Sequence, residues 1–412
     1  MPPETRETVS KRRVFYIPGY DPIHPRRYRE LYRKEGAEQA EISGYDIALS
    51  PKKTKGGPYG WHVEGRVDGA VCDADFEVLV WSDIVKDSMD QGIAATYVQM
   101  ARTAWTYIAS GALWRLMKLR KGPVIAALYP VMFLIVQLVL AVVIGGLVMW
   151  ALEELTIPYL GRTGGWLSQL CGLVAAYQLL RWFKAKDNKF FAYYLMHDYA
   201  YSAQSRGENP PELEARMTEF ADAIAEALTQ ECDEVLVVGH SSGAHLGVSI
   251  LSDMIREGRV PEGGPQLGFL TLGQVVPMVS FLPEAWRLRA DLAYLSARDE
   301  LTWVDVTAPG DGCAFALCDP VTVSGVAPAD KRWPLVISAA FTQTLSKARW
   351  KELRWKFFRL HFQYLCAFDV PGDYDYFQIT AGPTTLEKRF EGRNPSGSRI
   401  EAAVNKFTSV AP

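Results

Sequence analysis

Gly239-His240-Ser241-Ser242-Gly243 fits the pattern G-x-S-x-G. In that pattern a serine sits on a sharp turn between a strand and a helix, so that its hydroxyl projects from the edge of a sheet. Such a serine attacks carbonyl carbon and carries an acyl group covalently, provided that a base removes its proton. Three fixed positions in five recur by chance, so the context decides. Glu234-Val-Leu-Val-Val238 reads as a buried strand and Ala244 to Ile255 as an apolar helix. Gly239 and Gly243 suit the turn because a side chain at either position would collide in it. The plain alternative is a serine-rich turn without chemistry. Six histidines could supply the base: His24, His62, His197, His240, His245 and His361. No P-loop, GxGxxG or HExxH occurs, and the six scattered cysteines form neither a CxxC pair nor a zinc-site pattern. No metal or cofactor is expected from these residues.

Behind these residues stand the elements that must position them. Arg13 to Ile17 reads as a buried strand ended by Pro18-Gly19, and Pro25 to Glu38 as a charged amphipathic helix. Tyr45–Leu49 and Trp61–Val67 read as paired strands, and Phe76–Trp81 as a buried one. After them come a helix over Pro211–Thr229 and strands at Leu267–Leu272, Leu301–Val306 and Leu335–Ala339, with a helix around Pro283–Ala297. Strands alternating with helices predict an α/β fold with a mostly parallel sheet.

On the strength of the elbow and its strand–helix context, the chain resembles the α/β-hydrolase superfamily. The resemblance implies a doubly covered parallel sheet and the chain order nucleophile, acid, histidine. Ser241 is then the nucleophile, and His361 is the base, being the one histidine well beyond the elbow. A core histidine is the alternative there, in a stretch expected to pass from a final strand into a helix. The acid should follow a strand between the two, which implies Asp311 in the loop Thr307–Cys313, with Asp319, Asp305 and Asp299 as substitutes. The oxyanion donors would be the amides of Ser242 and Tyr20, with Gly19 letting the loop Ile17–Pro22 approach. That loop departs from the family's usual His-Gly, and a turn without a role is its alternative. Gly239, His240 and Gly243 would support the elbow. A strand pair that the family often carries ahead of this loop is missing.

Composition sets the surroundings. The 412 residues carry 44 Lys and Arg against 47 Asp and Glu, a net charge of −3, so bulk nucleic-acid binding is not expected. Between Lys121 and Glu153 lie 31 uncharged residues. As a helix they would reach roughly 45 Å, more than the ~30 Å hydrocarbon core. A second stretch, Thr163–Leu180, has 18 uncharged residues but contains Ser168, Gln169 and Gln178. It reads as a second span, with a re-entrant or interfacial helix as alternatives. Arg115, Lys118, Arg120 and Lys121 precede the first stretch, and Arg181, Lys184 and Lys186 follow the second. The positive-inside rule then puts both ends in the cytoplasm. Met1 to Arg13 is polar and carries no apolar signal-peptide core.

The expected organisation is an α/β-hydrolase domain in two parts, 12–90 and 205–390. An amphipathic helix (Ala94–Leu119) and a membrane hairpin interrupt it over 91–204, with spans of about 123–150 and 163–182. Residues 391–412 form a peripheral tail. Asp369, Asp373 and Asp375 read as a structured loop rather than a calcium site. The hairpin leaves the edge that carries the site. The functional expectation is therefore a serine esterase or lipase-like hydrolase in the cytoplasmic membrane, acting on lipid-like (thio)esters without a cofactor. An acyltransferase with the same triad and a non-catalytic membrane scaffold are the alternatives, as is a plain anchor serving a water-soluble substrate.

Overall fold

The computed structural model describes residues 8–53 and 56–412. The chain divides into two compact units, Met1–Asp87 with Ile108–Pro123 and Ser205–Pro412, and Ser88–Tyr107 with Val124–Gln204.

The first unit is built on an eight-stranded mixed sheet of β1 (Lys11–Ile17), β2 (Asp46–Pro51), β3 (Gly60–Val67), β4 (Ala70–Val78), β5 (Glu234–His240), β6 (Gln266–Leu272), β7 (Leu301–Thr307) and β8 (Leu335–Ser338). Their order across the sheet is β2-β3-β4-β1-β5-β6-β7-β8. From β4 to β8 every neighbouring pair is parallel, whereas β2–β3 and β3–β4 are antiparallel. β5 and β7 are buried along their whole length. That is why they read as unbroken apolar runs rather than alternating ones. β4 begins at Ala70, earlier than its apolar run suggests, because Asp73 and Asp75 lie within it. They are placed on its more open face, where the His62 ring on β3 bonds Asp75 at 2.8 Å and Asp73 at 2.9 Å.

Helices cover both faces. On one, the helix Gly243–Arg256 lies so close that a Cβ on Gly247 would meet Phe269 at 2.6 Å. On the other, a continuous core runs from Tyr28 and Tyr32 of the helix Arg26–Ser43 through Val14, Leu236, Leu270 and Val304 to Phe377. Buried Arg12 joins the sheet to the chain's later part. It pairs with Glu234 at 2.5 Å and donates to the carbonyls of Gly382 and Thr384, both at 2.6 Å. The tail beyond Glu391 is also tied down, since Arg289 donates to the Ser409 carbonyl and the Asn405 amide to that of Ser280.

Two expectations are corrected. The segment leading to His361 is a short helix, Phe357–His361, and not a strand. A short apolar run such as Phe357-Phe358 has no decisive period. The amphipathic stretch Ala94–Leu119 is two helices, Ile93–Ala109 and Ala112–Leu119, broken at Gly111, whose φ is +76°. The second of these belongs to the sheet unit. Arg120 at its end donates to the Ala316 carbonyl at 2.7 Å, and Arg115 donates to that of Val404 at 3.0 Å.

The second unit is helical. The helix Lys121–Leu160 enters it at Val124 and contains Pro130 and Pro158. Among the described residues it alone is long and apolar enough to cross a membrane. The helix Arg162–Ala185, where a second span was expected, is less apolar and packs on the first through small residues. A Cβ on Gly145 would lie 2.7 Å from the Gly172 carbonyl oxygen, and Thr156 and Ser168 share a hydrogen bond of 3.1 Å. Close approach over glycine with an interhelical hydroxyl bond is how apolar helices associate without a hydrophobic drive.

Candidate active site

Because β1, β5, β6 and β7 are parallel, the loops that follow them share one edge of the sheet. Ser241 is the first residue after β5 and has φ +56°, the left-handed region that side chains disfavour. Holding it there costs on the order of 1–3 kcal/mol, and the surroundings enforce it. A Cβ on Gly243 would lie 2.1 Å from the Ile17 carbonyl oxygen, and one on Gly239 would lie 2.7 Å from that of Gly243. The Ser241 N–H donates to the Leu272 carbonyl at 2.9 Å, which fixes the turn to the end of β6. Among the described residues no acceptor takes the Ser242 N–H, which opens the first turn of the helix Gly243–Arg256.

His361 and Asp311 are brought together. The imidazole Nδ1 lies 2.7 Å from Asp311 Oδ2, and both residues are buried. The His361 ring rests on the end of β6, where a Cβ on Gly273 would meet its Cε1 at 3.1 Å. Gly273 directly follows Leu272, which anchors Ser241, so the serine and the imidazole flank the same strand end. Asp311 is held by three donors. Oδ2 accepts from His361 and from the Tyr364 hydroxyl at 3.0 Å, and Oδ1 accepts from the Cys313 N–H at 2.9 Å. Burial alone would raise its pKa. The facing His361 imidazole and these hydrogen bonds outweigh burial and hold the carboxyl below its ordinary value. Ionised Asp311 fixes the proton of His361 on Nδ1 and leaves Nε2 with a lone pair.

Two residues that no motif singled out complete this arrangement. The Tyr364 hydroxyl accepts the Ala308 N–H at 3.0 Å while donating to Asp311, so it ties the acid to the end of β7. Trp81 donates its indole N–H to the Pro18 carbonyl at 2.9 Å, fixing the loop after β1. The only sequence signal for Tyr364 is its place three residues after His361, which means nothing until the acid is known. His240 has more than a supporting part. Its Nε2–H donates to the His361 carbonyl at 3.0 Å, and the two rings lie 4.9 Å apart. Burial, then the neighbouring His361 ring, pushes its pKa down to about 3, so it stays neutral.

Gly19 lies against the serine. A Cβ there would be 2.9 Å from Ser241 Cβ and 3.4 Å from its Oγ. Tyr20 follows, buried and packed edge-on to Trp81 at 6.0 Å. The substitute acids are engaged elsewhere. Asp319 caps the helix Pro320–Val323 and pairs with Lys331 at 2.6 Å, Asp305 accepts from Thr271 at 2.6 Å, and Asp299 is exposed. Among the other histidines, His62 is held by its two carboxylates, His197 bonds Gln99 in the second unit, and His245 is buried within its helix. The three acids of the 369–375 loop separate. Asp369 accepts the Ser346 N–H, Asp373 pairs with Arg393, and Asp375 caps the helix Tyr376–Ala381.

Ligand atoms of Asp311, Cys313 and His361 lie within 4.8 Å of one another, the spacing a metal ion would need. The donor set argues against one. The Asp311 and His361 atoms that face each other are already joined by a hydrogen bond, and Asp311 Oδ1 is occupied by a backbone N–H. Compared with protein-family models, with curated proteins and with solved structures, the chain finds no match in any of the three.

Proposed function

We propose that this chain is a membrane-anchored serine hydrolase of the α/β-hydrolase type, cleaving carboxylic esters or thioesters of lipid-like substrates through an acyl-enzyme on Ser241. The observation that carries the reading is the left-handed Ser241 tied to Leu272 at the end of β6, with the buried His361–Asp311 pair against Gly273, the next residue. The strand pair missing ahead of the Tyr20 loop has a counterpart behind it, in β2 and β3.

In the reaction, His361 Nε2 takes the Ser241 hydroxyl proton as Oγ bonds the substrate carbonyl carbon. Asp311 stabilises the imidazolium, and the N–H groups of Ser242 and Tyr20 stabilise the oxyanion. Collapse expels the alcohol or thiol, which leaves with the proton from His361. Water, deprotonated by the same nitrogen, then releases the acid and restores Ser241.

The membrane part of the reading rests on the helix Lys121–Leu160 and on where it starts. Gly122, in its first turn, lies next to the loop that carries Asp311, since a Cβ there would be 3.4 Å from Gly312 Cα. A substrate that partitions into the bilayer would meet the protein at that point.

The test is labelling of the detergent-purified protein with a fluorophosphonate, beside Ser241→Ala and His361→Ala. Labelling of wild type that is lost in Ser241→Ala and strongly reduced in His361→Ala is expected. A folded wild type that stays unlabelled in detergent and in lipid nanodiscs would overturn the reading and leave a non-catalytic scaffold.

A further inference from the structure

Just ahead of His361 runs Lys347-Ala-Arg-Trp-Lys-Glu-Leu-Arg-Trp-Lys-Phe-Phe-Arg359, in which six basic residues face a single acid, Glu352. Arg349 turns inward to Glu38 and Asp369, and Lys356 and Arg359 share Glu352. Lys347, Lys351 and Arg354 are exposed, with no carboxylate in ion-pair reach among the described residues. Between these cations stand two large aromatic residues open to solvent, Trp355 at 71% and Phe357 at 47% exposure. The Arg354 guanidinium lies over the Trp355 ring, 5.6 Å from its centroid, so cation and aromatic form one surface.

The segment also grips the acid's loop. Trp350 covers Gly310, where a Cβ would meet its ring at 2.7 Å, and Phe357 covers Gly312 at 3.1 Å. Gly312 in turn adjoins Gly122, in the first turn of the long apolar helix. The basic–aromatic face therefore reaches Gly122, just before the chain enters the apolar run, where Lys118 and Lys121 add further cations.

We propose that residues 347–359 form an interfacial docking face that lies on the anionic headgroup layer of the membrane, with Trp355 and Phe357 at headgroup depth and Lys347, Lys351 and Arg354 on lipid phosphates. The proposal rests on the membrane reading above. Cations draw such a face to an anionic leaflet, and indole rings settle at the boundary between headgroups and acyl chains. Adjacency to Gly122, where the chain turns into the long apolar helix, favours lipid over an acidic protein. The Asp311 loop, gripped on both sides by this segment, is then held at the bilayer surface.

The test is amide hydrogen exchange of the full chain in nanodiscs of phosphatidylcholine, with or without 30% phosphatidylglycerol. Amides of 347–360 should exchange at least about threefold more slowly in the anionic discs. The difference should shrink with added salt and vanish in Lys347→Gln/Lys351→Gln/Arg354→Gln, and in Trp355→Ser/Phe357→Ser. Peptides within 124–150 report separately on the span. If they are protected in both lipids while 347–360 exchanges alike in both, the docking face is overturned and the span stands. If 124–150 exchanges freely in the discs, the membrane reading fails and takes the proposal with it. Protection of 347–360 by soluble polyglutamate but not by the anionic discs would also overturn the proposal, in favour of an acidic protein partner.

Discussion

Two buried carboxylic acids in this molecule have opposite charge states, and the difference lies in their donors. Asp311 receives three hydrogen bonds, one from an imidazole, and is held as the anion. Asp305 receives one from Thr271, and its Oδ2 has no partner among the described residues, so burial, with Asp319 adding, pushes its pKa up to about 8. The folded protein therefore keeps a proton on Asp305 that the unfolded chain releases near pH 3.9. The sign follows: this group's contribution to stability is present at low pH and is lost as pH rises from about 4 to 8, by at most about 1.4 kcal/mol per pH unit. Asp305→Asn should flatten that slope, raising the thermal midpoint relative to wild type at pH 8 more than at pH 5. Parallel midpoint curves for the two proteins would mean that Asp305 is ionised throughout. At Asp311 the informative change is Tyr364→Phe. It removes one donor to the carboxylate and leaves the buried Ala308 N–H unpaired, at a cost of about 1–3 kcal/mol. Fluorophosphonate labelling should slow by roughly tenfold, while Asp311→Asn should slow it by about 10³-fold or more. A Tyr364→Phe protein labelling at the wild-type rate would show that the phenol does not position the acid.

At the level of elements, burial pattern decides what could be read in advance. β1, β5 and β7 announce themselves because both faces are buried, and Ser241 is found because its turn has fixed glycine positions. The first half of β4 is hidden, since its open face carries the acids that bind His62. The approach of Asp311 to His361 was reachable only through chain order within the resemblance. Nothing local in either segment states that a loop and a helix end 50 residues apart converge on the end of β6. Tyr364 and Trp81 stayed invisible for the same reason, since each acts on a loop from another part of the chain. The glycines carry the element-scale test. In Gly243→Ala the new Cβ would fall 2.1 Å from backbone oxygen that β1 cannot withdraw, so the variant should fail to fold or lose several kcal/mol of stability. Gly19→Ala meets Ser241 Cβ at 2.9 Å and the His240 carbonyl oxygen only at 3.3 Å, a milder clash than that at Gly243. It should melt within a few degrees of wild type and yet label at least about tenfold more slowly. Equal labelling of Gly19→Ala and wild type would remove the loop after β1 from the site.

For the whole molecule, the sheet limits how the helix Lys121–Leu160 and its partner could cross a membrane. The helix Lys121–Leu160, at about 60 Å for 40 residues, is longer than the ~30 Å hydrocarbon core needs. Its uncharged part ends at Glu153, so its last turns would stand clear of the bilayer on the far side. The helix Arg162–Ala185 is polar enough to fail as an independent span, but it does not stand alone. Its Ser168 hydroxyl bonds Thr156 and its Gly172 closes on Gly145, so these residues face the first helix, whereas Gln169 and Gln178 are exposed. A helix that packs closely on a neighbour through glycine and a shared hydroxyl bond can cross even where its average composition argues otherwise. The basic residues 181–186 would then return to the side of Arg115–Lys121. Reporter fusions in a bacterial host decide it. Alkaline phosphatase fused after Leu160 should be active, and green fluorescent protein fused after Pro412 should fluoresce. Activity of alkaline phosphatase at both positions would mean a single span, and would put Ser241, which follows both helices, on the opposite side of the membrane from β1. The sheet excludes that, because β1 and β5 are hydrogen-bonded neighbours from Arg12–Glu234 to Ile17–Gly239. The strand pairing therefore demands an even number of crossings, so the helix Arg162–Ala185 must return if Lys121–Leu160 crosses at all.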